Sequence, residues 1–215
     1  MNGHIPHLLV GPPWRGSDIA LAPDQMRHLE RVLRVGPGDA ISYTDGQGTI
    51  GTGTHRDGAV VRGQEHSVAR PSRPSIAMSP PKERHRLRFA VEKLTELGVP
   101  TLSFLSTSFG EGRPPLQKKL DAWVRAGVEQ SRGAWAMECR AEPIRLGDID
   151  PVWLAHPGGE SPGQYDGGTI AIGPEGGFDE DEVIGHRLLD LGPTVLRVET
   201  AAVVAAVAVT APRPE

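Results

Sequence analysis

A short apolar run that breaks off into five turn-forming residues constrains this chain most. Ile170, Ala171 and Ile172 read as a buried strand, and Gly173-Pro174-Glu175-Gly176-Gly177 ends it. Glycine permits positive φ and close backbone approach, while proline fixes its own φ and lacks an N–H. Asp179 and Glu182 then have capping-box spacing, so a helix is predicted to start there. Strand, glycine turn, then helix is a recurrent setting for a ligand.

The spacing is neither G-x-G-x-x-G nor the P-loop with its lysine. Phosphate favours a positive nest, and the carboxylates of Glu175, Asp179, Glu180, Asp181 and Glu182 oppose it. A neutral or cationic ligand suits that charge better. A tight strand-to-helix connection with a solvated acidic first turn fits the same residues.

A second segment follows closely. Leu191-Gly192-Pro193 is a strand-edge turn, and Val195-Leu196-Arg197-Val198 is predicted as a short strand. Glu199-Thr200 opens a run of almost pure Ala and Val to Val209, too short to cross a membrane. Its small side chains suit a helix pressed against other backbone.

GPEGG together with LGPxVLRxETAA resembles the signature of SPOUT methyltransferases, and within them the RsmE-like family, which methylates N3 of a uridine in small-subunit ribosomal RNA. The resemblance implies an α/β C-terminal SPOUT domain with a deep trefoil knot that holds S-adenosylmethionine. Spacing alone predicts no knot, a rare topology. Family members usually dimerise through the knotted domain, so a homodimer is expected.

With 215 residues there is length for one large or two small domains. The 27 glycines and 20 prolines predict short elements and many turns. Cys139 is the one cysteine, which excludes an internal disulfide and suits a reducing cytoplasm. No signal-peptide core and no membrane-spanning stretch occur. With one cysteine and no helical ligand spacing among the histidines, no zinc site is expected.

Net charge is −4, but unevenly spread: residues 1–73 carry +1, 74–140 carry +4 and 141–215 carry −9. An RNA-facing surface is therefore expected from the first two-thirds, and scaffold or cofactor pocket from the last.

Residues 1–73 read as a small β-rich domain. His28 to Val35 is predicted helical, with Leu29, Val32 and Leu33 on one face and Arg27, Arg31 and Arg34 on the other, stopped by Gly36-Pro37-Gly38-Asp39. Strands follow at 40–43 and 49–54 about the turn Asp45-Gly46-Gln47-Gly48, with another near Val60. Such strands suit a small barrel. HLxRVLRxxxGD followed by DGxG resembles the family's N-terminal PUA-like RNA-binding domain. On sequence alone, those arginines also fit a solvated helix face.

Val68 to Pro74 reads as a linker, giving domains 1–73 and 74–215. Ser75 to Met78 is a candidate strand. Lys82 to Leu97 is an amphipathic helix, with Leu87, Val91 and Leu94 on one face and Lys82, Arg84, Arg86, Arg88 and Lys93 crowding its first half and centre. Cations at a helix N-terminus oppose its dipole, so a negative partner is expected. KxxxRxxxxVEKLTELGV resembles the family's first SPOUT segment and implies RNA contact by Lys82, Arg84 and Arg86, as the N-terminal resemblance does for Arg31 and Arg34.

Thr101 to Leu105 is a strand and Leu116 to Gln130 a second amphipathic helix, with Leu120, Trp123, Val124 and Val128 inward. Two departures from the family occur here. Ser106-Thr107-Ser108-Phe109 stands where an Arg-Ser pair is usual. Gln130-Ser131-Arg132-Gly133 stands where Gln-Ser-x-Arg is usual, with Met137 near an expected proline, so Arg132 is the candidate RNA contact one position early.

Leu154-Ala155-His156-Pro157, after a predicted strand near Val152, resembles the family's LxHP cofactor-side loop. Gly159-Glu160-Ser161-Pro162-Gly163 matches the nucleophile elbow of hydrolases. The oxyanion-hole residue there would be Pro162, which has no N–H, so this match is discarded.

The resemblance implies direct methyl transfer from S-adenosylmethionine. Leu154, His156, Gly173, Pro174, Glu175, Gly176, Gly177, Leu191, Gly192, Leu196, Thr200 and Ala201 are the expected cofactor contacts. Arg197 is the candidate stabiliser of a uracil anion, oriented by Glu199; a structural pair of the two is the alternative. The two departures and the acidic last third also fit a diverged enzyme acting on another RNA or a small molecule, or a non-catalytic cofactor- or RNA-binding homologue.

Overall fold

The computed structural model describes residues 5–209. The outermost residues of both expected domains, 1–4 and 210–215, lie outside the described residues. The chain divides into two compact units: one runs to Arg70 and includes Val128–Ala136, the other comprises Pro71–Gly127 and Met137 onward.

The first unit holds β1 (His7–Leu9), β2 (Asp18–Ala20), α1 (Pro23–His28), β3 (Ala40–Thr44), β4 (Thr49–Arg56) and β5 (Ala59–Ser67). They form a five-stranded sheet in the order β1-β3-β4-β5-β2, antiparallel except for the parallel β1–β3 pair. Leu8, Ile19, Leu29, Ile41, Tyr43 and Val60 fill its core.

The predicted helix over 28–35 is altered. α1 ends at His28, and Leu29–Leu33 continue as one wider π turn closed by Arg34 at φ 56°. The wider turn rotates the faces. Leu29 stays fully buried, but Val32 is 63% and Leu33 45% exposed, and Val35 takes the inward place. The shared apolar face expected of Leu29, Val32 and Leu33 does not form.

The second unit is a parallel α/β assembly. In chain order it comprises β6 (Ser75–Met78), α2 (Arg84–Glu96), β7 (Thr101–Ser106), most of α3 (Gln117–Ser131), β8 (Glu138–Cys139), β9 (Ile144–Arg145), β10 (Val152–Glu160), β11 (Thr169–Ile172), α4 (Glu180–Val183), β12 (Arg187–Leu189) and α5 (Val198–Ala208). The sheet order is β12-β10-β11-β6-β7-β8, with β9 beside β7. Strand succession reverses between β6 and β11, so their carboxyl ends lie side by side; Ser79 N donates to Ile172 O at 2.9 Å. Crevices outside the carboxyl ends at such a reversal are where open α/β sheets take ligands.

Leu87, Ala90, Val91 and Leu94 bury one face of α2. α5 packs against it and against β6 and β11 through Ala201, Ala202, Ala205 and Ala206. Alanine faces let helix backbones approach closely, as the composition of this run predicts.

The strand expected over 195–198 is not formed. Residues 190–197 have no regular structure, and α5 starts at Val198 with Arg197 as N-cap. Among the described residues no strand pairs with this segment to complete a ladder, so the β-branched residues alone do not hold one. The GxSxG match falls in β10 and a single 3-10 turn at Pro162–Gln164, without a following α-helix.

Candidate cofactor and acceptor site

The turn after β11 is built as its residues dictate. Gly177 N donates to Pro174 O at 2.9 Å, and Gly177 sits at φ 78°, where a β-carbon is disfavoured. Asp179 caps α4 with the predicted capping box: its Oδ1 accepts from Asp181 N, and Glu182 Oε2 accepts from Asp179 N at 2.9 Å. The second segment leaves β12 through Asp190, whose Oδ1 accepts from Gly192 N at 2.8 Å, with Gly192 at φ 126°.

Together these segments wall a pocket of about 370 Å³ at the carboxyl ends of β10 and β11. Gly173 to Gly177 form one side, Leu191, Gly192 and Leu196 another, and His156 and Ala201 complete it. His156 Nδ1 lies 2.7 Å from Pro157 O. Leu154 and Thr200 do not join them: Leu154 is fully buried within the sheet, and Thr200 faces solvent. Asp190, Thr194, Val195 and Phe178 also line the pocket and were not among the expected contacts; Asp190 and Thr194 flank the LGP piece and Val195 begins the VLR piece, so segment continuity was their signal.

The acidic character expected of the pocket is present. Its titratable lining groups are His156, Glu175 and Asp190, with no lysine or arginine. A cation or a neutral group fits this lining; a phosphate does not.

The strongest electrostatic feature was missed by sequence reasoning. Arg86 donates from Nε to Glu199 Oε1 and from Nη2 to Glu199 Oε2, both at 2.8 Å. It also reaches Glu175 and Glu83 at 2.8 Å. One guanidinium thus ties α2, α5 and the glycine turn together. Its own side chain is only 12% exposed, so the expected outward RNA contact gives way to an internal clamp. The signal was periodicity: Arg86 precedes the buried Ala90 and Leu94 by one and two helical turns, on the inward face. Burial is the largest influence and pushes the Glu199 carboxyl up, but the hydrogen bonds from Arg86, one from the Glu199 backbone and the charges of Arg86 and Arg197 together hold it below its ordinary value.

The expected orientation of Arg197 by Glu199 is therefore corrected: Glu199 is buried and paired with Arg86, while Arg197 is exposed. The two-point pair with Arg86 takes both Glu199 oxygens, and Arg197 acts on Glu199 through its charge rather than through a hydrogen bond. Among the other RNA candidates, Arg31, Arg34 and Arg84 are exposed, Lys82 pairs with Glu111, and Arg132, at φ 58°, donates to Ile5 O at 3.2 Å.

A second pocket of about 500 Å³ shares Pro174, Glu175 and Gly176 with the first and is bordered by Pro80, Lys82, Arg86, Phe109 and Glu111.

A parallel sheet with a glycine-walled pocket at its carboxyl ends defines a nucleotide-type α/β ligand-binding domain. Residues 69–210 match the model of the RNA methyltransferase domain, and the chain belongs to that family. It is similar in structure to a probable rRNA-methyltransferase from Porphyromonas gingivalis, with 26% identity and a TM-score of 0.80 over 94% of this chain and 95% of that one. It also shares its fold with ribosomal RNA small subunit methyltransferase E from Neisseria gonorrhoeae, solved with S-adenosyl methionine: 24% identity, TM-score 0.80, over 95% of this chain and 96% of that one.

Proposed function

We propose that this protein transfers a methyl group from S-adenosylmethionine to N3 of a uridine in small-subunit ribosomal RNA. The carrying observation is the pocket formed by residues 173–177 and 190–196, in a chain of the RNA methyltransferase family. The Neisseria gonorrhoeae relative and its bound S-adenosyl methionine support the choice of cofactor and RNA class.

The lining fits that cofactor. When bound, it supplies an electrophilic methyl on a sulfonium. Backbone groups of Gly173–Gly177 and of Leu191, Gly192 and Leu196 hold its adenosine and methionine parts, and Ile172, Leu196 and Val198 exclude water. Glu175 and Asp190 balance its positive charge. Uracil N3 would have to lose its proton before it could accept the methyl that the bound cofactor would supply. Arg197, beside the pocket residues Leu196 and Val198, stabilises the anion at the uracil oxygens. Glu199 is the anchor of Arg86 in this reading rather than a catalytic partner.

The reading extends to a trefoil knot through 170–209, a PUA-like RNA-binding first domain, a homodimer through the second domain, and a cytoplasmic site of action. No helix among the described residues is long and apolar enough to cross a membrane.

The test is labelled-methyl transfer from S-adenosylmethionine to small ribosomal subunits lacking uridine-N3 methylation, with calorimetry of cofactor binding on the same sample. Label at one uridine is the expected result. Cofactor binding without label would turn the assignment to another acceptor.

A further inference from the structure

The loop after β7 presents an aromatic ring to solvent beside the second pocket. Phe109 is 51% exposed, yet the loop that carries it is tightly held. A β-carbon on Gly112 would lie 1.7 Å from Pro80 O, and one on Gly110 would lie 2.9 Å from Ser79 Oγ. The loop therefore runs directly over the Ser79–Pro81 segment. Ser108 N also donates to Glu182 Oε1 at 3.0 Å, which ties the loop to α4. An exposed ring on a fixed loop is a preorganised contact surface without a partner in the fold.

Phe109 leans against the wall between the two pockets: a β-carbon on Gly176 would meet its Cβ at 3.3 Å. Pro174, Glu175 and Gly176 line both pockets, so anything seated against Phe109 borders the cofactor pocket at that turn. The second pocket also lies at the sheet's reversal between β6 and β11.

Its charge selects the occupant. The cations bordering it are already neutralised, Lys82 by Glu111 and Arg86 by Glu83, Glu175 and Glu199. A phosphate would find three carboxylates, Glu83, Glu111 and Glu175, against two cations that are both already paired, a lining of net negative charge. A flat neutral ring with an N–H edge meets the opposite conditions: an aromatic face on which to stack and carboxylate acceptors at its rim.

We propose that this second pocket is the acceptor-base subsite and that Phe109 is its stacking platform, with the base's N–H edge turned to Glu175. The proposal rests on the methyl-transfer reading above and adds where the acceptor sits. The RNA base must be unstacked to enter, so a single-stranded or flipped nucleotide is the form recognised.

Phe109→Trp, Phe109→Leu and Phe109→Ala test it on the full chain. Three readouts are used: kcat/KM for methyl transfer to ribosomal RNA, calorimetry of S-adenosylmethionine, and fluorescence of the Phe109→Trp variant. The fluorescence titration compares a uridine-centred single-stranded oligonucleotide with one abasic at that position. Loss of base stacking predicts that Phe109→Ala and Phe109→Leu each lower kcat/KM about tenfold. Cofactor affinity should stay unchanged, Phe109→Trp should retain activity, and its fluorescence should be quenched by the uridine oligonucleotide alone. A leucine variant as active as wild type overturns stacking, since leucine keeps bulk without a π face. Loss of cofactor affinity in both the leucine and alanine variants also overturns it, making the ring part of the cofactor wall. Base-dependent quenching with no methyl transfer by wild type keeps the subsite and removes the reaction assignment. Methyl transfer by wild type with a flat Phe109 series removes the subsite alone.

Discussion

Arg86 on α2 and Glu199 on α5 face each other in a two-point ion pair, with both contacts at 2.8 Å and both side chains about nine-tenths buried (12% and 10% exposed). The same guanidinium holds Glu175, which borders both pockets. The pair thus links helix packing to the placement of the glycine turn.

Breaking this pair from one side leaves a buried charge alone. Arg86→Ala is expected to destabilise the protein by about 3–5 kcal/mol, the usual penalty for an uncompensated buried charge. The double variant Arg86→Met with Glu199→Leu should recover most of that loss. Urea unfolding monitored by circular dichroism measures both, and additivity of the two single changes would contradict the coupling.

The pair also gives stability a pH dependence. Burial acts most strongly on Glu199 and raises it, but the hydrogen bonds and charge of Arg86, with the Glu199 backbone N–H and the charge of Arg197, together hold it below its ordinary value of 4.5. A carboxyl with a depressed folded-state value contributes stability that is complete above the unfolded value and is lost as pH falls through the folded one. Midpoint temperatures should therefore drop as pH falls below 4.5, and Glu199→Gln should start lower and show a shallower acid slope. Equal slopes in the two proteins would assign the acid loss to other groups.

Gly192 tests the cofactor pocket through the backbone. Its φ of 126° disfavours any β-carbon, although nothing lies within 4 Å of the place where one would sit. Gly192→Val should distort the 190–196 segment rather than clash, with strain of about 1–3 kcal/mol. Calorimetry should show at least about tenfold weaker S-adenosylmethionine binding, since 1.4 kcal/mol is tenfold.

Arg197 is exposed and sits at the start of α5 outside any ion pair among the described residues, so Arg197→Ala should leave the fold intact. Methyl transfer should fall about 100-fold or more, as when a single donor to a developing anion is removed, with cofactor affinity unchanged. Loss of both activities together would make Arg197 a structural residue.

Cys139 offers a probe of the second unit. Burial, with Asp121 nearby, pushes its thiol up to about 12. The thiolate is the reactive species, so the folded protein should resist thiol reagents at neutral pH. Labelling should follow unfolding in step with circular dichroism; rapid labelling without denaturant would show that Cys139 is not buried.

Much of the site was legible because it is local. The Ile170–Ile172 strand, the turn to Gly177 and the Asp179 cap follow from neighbouring residues, and all three are formed. So are the strand at Ser75–Met78 and the helix faces of α2 and α3. Errors arose where the decision was not local. The VLRV strand fails for want of a neighbouring strand, and the π turn at Leu29–Leu33 moves Val32 and Leu33 into solvent.

The sequence by itself determined where the chain turns, which helix faces are apolar, and that its last third carries the negative charge. Those properties depend on residues a few positions apart, where sterics, hydrogen bonding and periodicity act directly. Only the tertiary structure decided that Arg86, 113 residues from Glu199, is an internal clamp rather than an outward cation. A charge on a helix can face solvent or a buried partner with the same local pattern. Which of these it does depends on the element that packs against it and on the desolvation that the partner must offset.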